Sequence, residues 1–171
     1  MSVARPAGYT TAQIILHWVI AALFVFQLVF GEDIVSAYRA YRQGATPTDA
    51  AIFDANIHVY IGLTVLVLAA IRLILRFRYG APPAPAGESN VQKAIAHTAH
   101  AVLYLAIFGM PISGAIAWFG GIPEAGEVHE LAKPVLIAVV VIHAAGALWQ
   151  HFVAKTDVLT RMVKPRSDAR A

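Results

Sequence analysis

Residues 52–75 read IFDANIHVYIGLTVLVLAAIRLIL, an apolar run with one imidazole, His58, set into it. Its length suits the roughly 20 residues that a helix needs to cross about 30 Å of hydrocarbon. It lacks the polar–apolar alternation of a barrel strand, so the element is a helix, which satisfies its own backbone hydrogen bonds in lipid. Working outward, runs of the same kind occur at approximately residues 12–30, 94–119 and 128–153. The expectation is an all-α, integral-membrane four-helix bundle, a single domain over residues 1–171. Only short connections join the spans, and the Pro/Gly stretch from Gly80 to Gly87 is a linker that cannot be helical.

Composition supports this reading. Of 171 residues, 58% are hydrophobic and 13% charged, against about 25% charged in soluble domains. A mean hydropathy of +0.64 excludes a disordered chain. The pI near 9.4 would suit a nucleic-acid partner, but the placement of charge accounts for it without one. Ten of the thirteen basic residues (Arg5, Arg72, Arg76, Arg78, Lys93, Lys155, Arg161, Lys164, Arg166 and Arg170) fall on one side of the four spans. Arg39, Arg42 and Lys133 fall on the other, with Glu32, Asp33, Asp49, Asp54, Glu124, Glu127 and Glu130. The positive-inside rule assigns the basic side, and with it both termini, to the cytoplasm. The first run with Val35-Ser36-Ala37 behind it loosely resembles a cleavable signal, but it is longer than a signal core and preceded by a single basic residue, so it is read as a retained span.

Cysteine is absent, which removes disulfides, thiolate zinc sites, iron–sulfur clusters and covalent haem attachment together. Seven histidines remain. An ionisable residue inside a span points to function, although one alone is also explained as a neutral, hydrogen-bonded ring. The pattern is more informative than any member. His17 lies near the inner end of the first span and His58 near the outer end of the second. The fourth span carries His129 and His143, which at about 100° per residue return to within about 40° of one face, about 21 Å apart along the axis. An outer level (His58, His129) and an inner level (His17, His143) result, each drawing on two helices. Facing imidazoles between helices suit a metal, and nitrogen-only ligands within wide apolar walls favour haem iron over zinc. Gly62, Ala144, Ala145 and Gly146 leave room for a flat macrocycle, or simply for close helix packing. Pro134 sets a choice: the helix passes through it, or it starts there with His129 in the preceding loop and the facing argument fails.

With His17-Trp18, His58 with Gly62, Arg72 and Arg76, His100 with Leu103-Tyr104, Pro111 and Gly114, and then His129-Glu130, His143-Ala144-Ala145 and His151, the chain resembles the bacterial cytochrome b561 family. These are small di-haem membrane proteins related to the cytochrome b subunits of formate dehydrogenases and nickel–iron hydrogenases, and the likeness runs the length of the chain. It implies two non-covalent haem b groups, one held by His17 and His143 and one by His58 and His129, in the bacterial inner membrane. It is similar to the branch that oxidises superoxide outside and reduces ubiquinone near the cytoplasmic side, which would make it a superoxide:ubiquinone oxidoreductase. The other reading is the membrane-anchor subunit of a larger dehydrogenase or hydrogenase. His100, His97 and His151 are candidates for the quinone, whose carbonyls need donors and proton carriers. His17 with His100 is an alternative inner pair. Arg72 is either a topology determinant or a contact to a haem propionate, and Arg39, Arg42 or Lys133 would attract an anion at the outer side.

Overall fold

The computed structural model describes residues 6–31 and 34–165. Arg5, Arg166, Arg170, Glu32 and Asp33, which enter the charge pattern, lie outside the described residues. In chain order the helices are α1 (Thr11–Phe30), α2 (Ile34–Arg42), α3 (Asp49–Tyr79), α4 (Asn90–Gly120), α5 (Pro123–Phe152) and α6 (Val158–Arg161). No strand occurs among the described residues, and α1, α3, α4 and α5 are long and apolar enough to cross a membrane. An even number of crossings returns the two ends of the chain to one side, here termed inner.

Three of these helices overrun the apolar segments that announce them, because local chemistry rather than hydropathy sets their ends. Thr10 and Gln13 form a capping box at α1, and Ser89 and Gln92 form another at α4, each satisfying otherwise orphaned backbone N–H groups. Thr48 caps α3, and Gly80, at φ 74°, stops it in a conformation that favours glycine. At 31 residues, α3 spans about 46 Å, well beyond the hydrocarbon, so its last turn carries Arg76 and Arg78 out to the interface. Pro123 opens α5 at a position where its missing N–H costs nothing. The helix then continues through Pro134, losing the one bond that the Glu130 carbonyl would accept. The reading that starts the helix at Pro134 and leaves His129 in a loop is therefore corrected.

Helix α2 lies in a connection that hydropathy leaves blank. It turns Ala37 into a fully buried contact and packs against α3, with Tyr41 edge-to-face on Trp118 of α4 at 5.6 Å. In the bundle α1 packs on α3, α3 on α4 and α4 on α5. Its compact core is small: Ile20, Val65 and Ala69, with Leu23, Leu68, Ile107 and Phe108 against them. The large apolar side chains mostly point outward, as Phe77, Leu105 and Leu131 do, onto the surface that lipid covers.

Buried Gln13 ties the inner end together. Its Oε1 accepts from Thr10 N at 2.9 Å, and its Nε2 donates to the carbonyls of Gly80 at 3.1 Å and Leu75 at 3.4 Å. Gln13→Ala is expected to cost about 1–3 kcal/mol through these lost bonds, read as a lower thermal midpoint in detergent with helix content unchanged.

Candidate metal centres in the bundle

A cavity of about 1170 Å³ runs through the interior, larger than the roughly 300–1,000 Å³ of a small-molecule site. It reaches from Ile34, Tyr38 and Gly126 at the outer end to Trp18, Pro83 and Arg161 at the inner end. His17, His58, His129 and His143 all stand on its wall.

The histidines meet in two pairs. At the inner level the rings of His17 on α1 and His143 on α5 lie 6.3 Å apart, centroid to centroid, with planes at 68°. At the outer level His58 on α3 and His129 on α5 lie 6.0 Å apart, also at 68°. A metal bonded to one nitrogen of each ring at about 2.0–2.1 Å would hold the centroids roughly 6 Å apart, so both pairs are spaced for one ion between them. Among the described residues no three His, Asp or Glu side chains form a group that could hold a metal ion by themselves. A two-nitrogen site suits a metal that brings its equatorial ligands with it.

The surroundings of the outer pair orient the rings. The carbonyl of Met110 can only accept, so His129 Nδ1, 2.8 Å away, carries the proton and leaves Nε2 as the basic nitrogen. Ser113 Oγ donates to the same carbonyl at 3.0 Å. Gln27 Nε2 donates to the His58 carbonyl at 2.9 Å, while His58 Nδ1 is buried without a partner. Two glycines make way for these rings: a Cβ on Gly31 would stand 3.1 Å from His58 Nδ1, and one on Gly114 would stand 3.1 Å from His129 Nδ1. Gly62 and Gly146 also border the cavity, where a Cβ on Gly146 would meet nothing within 4 Å. Paired imidazoles, flanking glycines and a large apolar void together fit a haem.

At the inner level a third ring, His100, also meets His143, with centroids 5.2 Å apart. Its Nδ1 donates to Ala96 O at 2.7 Å, and His97 Nδ1 donates likewise to Lys93 O at 2.7 Å. Both line the cavity, whereas His151 packs on Phe152 and does not. Arg72 donates to Tyr104 Oη at 3.3 Å, and its buried Nε has no partner. Arg76 sits over the Tyr104 ring at 6.0 Å. A buried guanidinium without a carboxylate beside it calls for an anion. At the outer end Arg39, Lys133 and Glu130 line the cavity and Arg42 does not. Sequence reasoning missed Gly31, Gln27, Tyr38 and Gly126, which act through close approach: a Cβ on Gly126 would fall 2.7 Å from Tyr38 Oη. No motif marks such contacts, because they join segments distant in sequence.

Residues 8–165 match the family model described as prokaryotic cytochrome b561. The chain is 38% identical over 162 residues to "Cytochrome b562" of Cereibacter sphaeroides, covering 95% of this chain and 99% of that one. It is 27% identical to "Probable superoxide oxidase CybB" of Yersinia pestis, covering 91% and 95% of the two chains. It is 26% identical to "Cytochrome b561 homolog 1" of Escherichia coli, covering 92% and 98%.

Gly114→Val is expected to push the His129 ring off Met110 O and to lower the dithionite-reduced haem absorbance per chain. Gly109→Val, whose added carbon meets nothing within 4 Å, leaves that absorbance unchanged.

Proposed function

This chain belongs to the prokaryotic cytochrome b561 family, and from that premise we propose that it carries electrons from superoxide at its outer end to ubiquinone at its inner end through two haem b groups. Membrane electron transfer with haem b, by a multi-pass protein of the bacterial inner membrane, follows from the family and the four spans. The number of haems, their ligands, the donor and the acceptor are our reading. The observation that carries it is the pair of imidazole couples, at 6.3 and 6.0 Å, at two depths of one cavity.

In this reading His17 and His143 hold the inner iron, and His58 and His129 hold the outer one. Bound there, haem b supplies a one-electron iron couple. With an imidazole from each of two helices, either pair would hold an iron in a way that favours electron transfer over dioxygen binding. The Met110 carbonyl keeps the His129 proton on Nδ1, so Nε2 stays available as a ligand. Ala144 and Gly146 line the cavity near His143, where their small size would leave room for a flat macrocycle. Arg72 would pair with a carboxylate of the inner haem, which would satisfy its buried Nε.

At the outer end Arg39 and Lys133 favour an anionic donor, and the relative named as a superoxide oxidase supports superoxide. Each superoxide gives up one electron and leaves as dioxygen. At the inner end His100 and His97, with Nδ1–H held by backbone carbonyls, would turn Nε2 to the quinone and donate to its oxygens once Nε2 takes up a proton. Two electrons and two protons convert one ubiquinone to ubiquinol. The basic inner side of the chain, and the termini with it, face the cytoplasm.

Purified protein is expected to show a reduced-minus-oxidised haem b spectrum with two haems per chain, and His143→Ala about one. One haem in the unaltered protein, or two in His143→Ala, would overturn the assignment. The isolated chain is also expected to reduce ubiquinone when supplied with superoxide. Inactivity, with a dehydrogenase co-purifying, would instead identify an anchor subunit.

A further inference from the structure

The inner end of the cavity is walled by the proline linker, the first turns of α4 and the end of α5, and a single carboxylate stands there. Among the described residues only Glu88 and Glu130 line the cavity as acids, and Glu130 belongs to the outer end. Glu88 is half-buried and fixed in place. Gln150 Nε2, from the last turn of α5, donates to its Oε1. Thr156 Oγ1 donates to Gln150 Oε1 at 3.0 Å, and Thr156 N to the Gln150 carbonyl at 2.8 Å. The same mouth is fastened by Arg161 Nη1 donating to Pro83 O at 2.8 Å and by Trp18 Nε1 donating to Met162 O at 2.7 Å. A linker made of prolines and glycines is thus held by side chains at both of its ends, and it sets one titratable oxygen pair between water and the cavity.

We propose that Glu88 is the proton-transfer group of the inner end, taking protons from the inner aqueous side and passing them to the quinone reduced there. This rests on the quinone reading above. Each quinol formed consumes two electrons, which the chain's electron transfer delivers, and two protons, which must come from water. The carboxylate binds one proton from water, releases it to a quinone carbonyl oxygen as that oxygen gains electron density, and returns to its charged form. The cycle runs twice.

The neighbouring groups are poorly suited to the task. Arg72, Arg76 and Arg161 do not give up protons, and Arg161 is further paired with Asp157 at 2.7 Å. His97 and His100 each have Nδ1–H committed to a carbonyl one turn back, so a proton cannot enter at one ring nitrogen and leave at the other. Each ring can take up and release a proton only at Nε2, the nitrogen turned to the quinone, so it can hand a proton on but needs another group to bring one from water. His151 stands off the cavity. Glu88 has one oxygen held by Gln150 and a second with no hydrogen bond among the described residues, which orients the group without blocking exchange.

The test is the oxidation of pre-reduced protein by a short-chain ubiquinone, followed at the haem band across pH. Glu88→Gln keeps the shape and cannot carry a proton. It is expected to slow haem oxidation by quinone roughly tenfold or more, and to flatten its pH profile, with haem content and the rate of reduction by superoxide unchanged. Glu88→Asp is expected to keep most of the rate, and acetate to restore that of Glu88→Ala. Unaltered rates in Glu88→Gln overturn the proposal. So does a slowed Glu88→Ala that acetate does not rescue, since that marks a structural role. If the unaltered protein itself is not oxidised by quinone, the quinone reading falls and this proposal with it. An active parent with an indifferent Glu88→Gln removes only the proposal.

Discussion

The interior of this bundle is arranged around a space. In a bilayer the usual reason for helices to gather is weak, because lipid tails are as apolar as the side chains they would replace, and close packing must hold the helices instead. Here packing joins α1, α3, α4 and α5 along their flanks, yet the compact core amounts to three buried residues and a few neighbours. The middle is a cavity whose wall carries two imidazole couples, a buried arginine without a carboxylate and a histidine nitrogen without a partner. An empty apolar void forfeits contacts on every side, and unpaired buried polar atoms add to the cost. In the proposed reading haem would answer all of these at once: a flat apolar body for the void, iron for the imidazoles and carboxylates for the guanidinium. Folding and loading would then be coupled, as they are in other proteins whose site does not exist in the unfolded chain.

Around that space the backbone does much of the positioning usually assigned to side chains. The Met110 carbonyl orients His129, the Ala96 carbonyl orients His100 and the Lys93 carbonyl orients His97. A methyl group on Gly114 would crowd the His129 ring at 3.1 Å, and one on Gly31 would strike the Gln27 carbonyl and crowd the His58 ring. Pro111 and Pro134 lie inside helices that stay helical, each one turn or so from an orienting contact of the outer pair. The outer pair is therefore held by four helices, α1 and α4 supplying contacts to rings carried on α3 and α5, and the inner pair has His100 as a further neighbour.

Much of this was legible in the sequence. Hydropathy located all four spans because lipid imposes a length, and the histidines sorted into depths because helical rise converts residue number into distance. Helix ends were less legible. They depend on Thr10, Thr48, Ser89 and Gly80, short-range chemistry that an apolar window averages away. Helix α2 escaped notice for the same reason, being amphipathic and only nine residues long. Pro134 left two structures open, and only the packing of α5 along α4 decides for a continuous helix. Gln27, Gly31, Tyr38, Glu88 and Gly126 carry no local signature, since each matters through a partner far along the chain.

One helix, α5, supplies a histidine to each level, whereas α1 and α3 supply one apiece. It therefore acts as a ruler. Whatever the other helices do, two of the four imidazoles are tied to one continuous helix, about 21 Å apart along it and about 40° out of phase. Breathing of the bundle can open the cavity without changing that spacing. A single residue inserted between His129 and His143 would turn one imidazole by about 100° relative to the other and put the two levels out of register. The stretch between those histidines is thus a region where sequence can drift in composition but hardly in length.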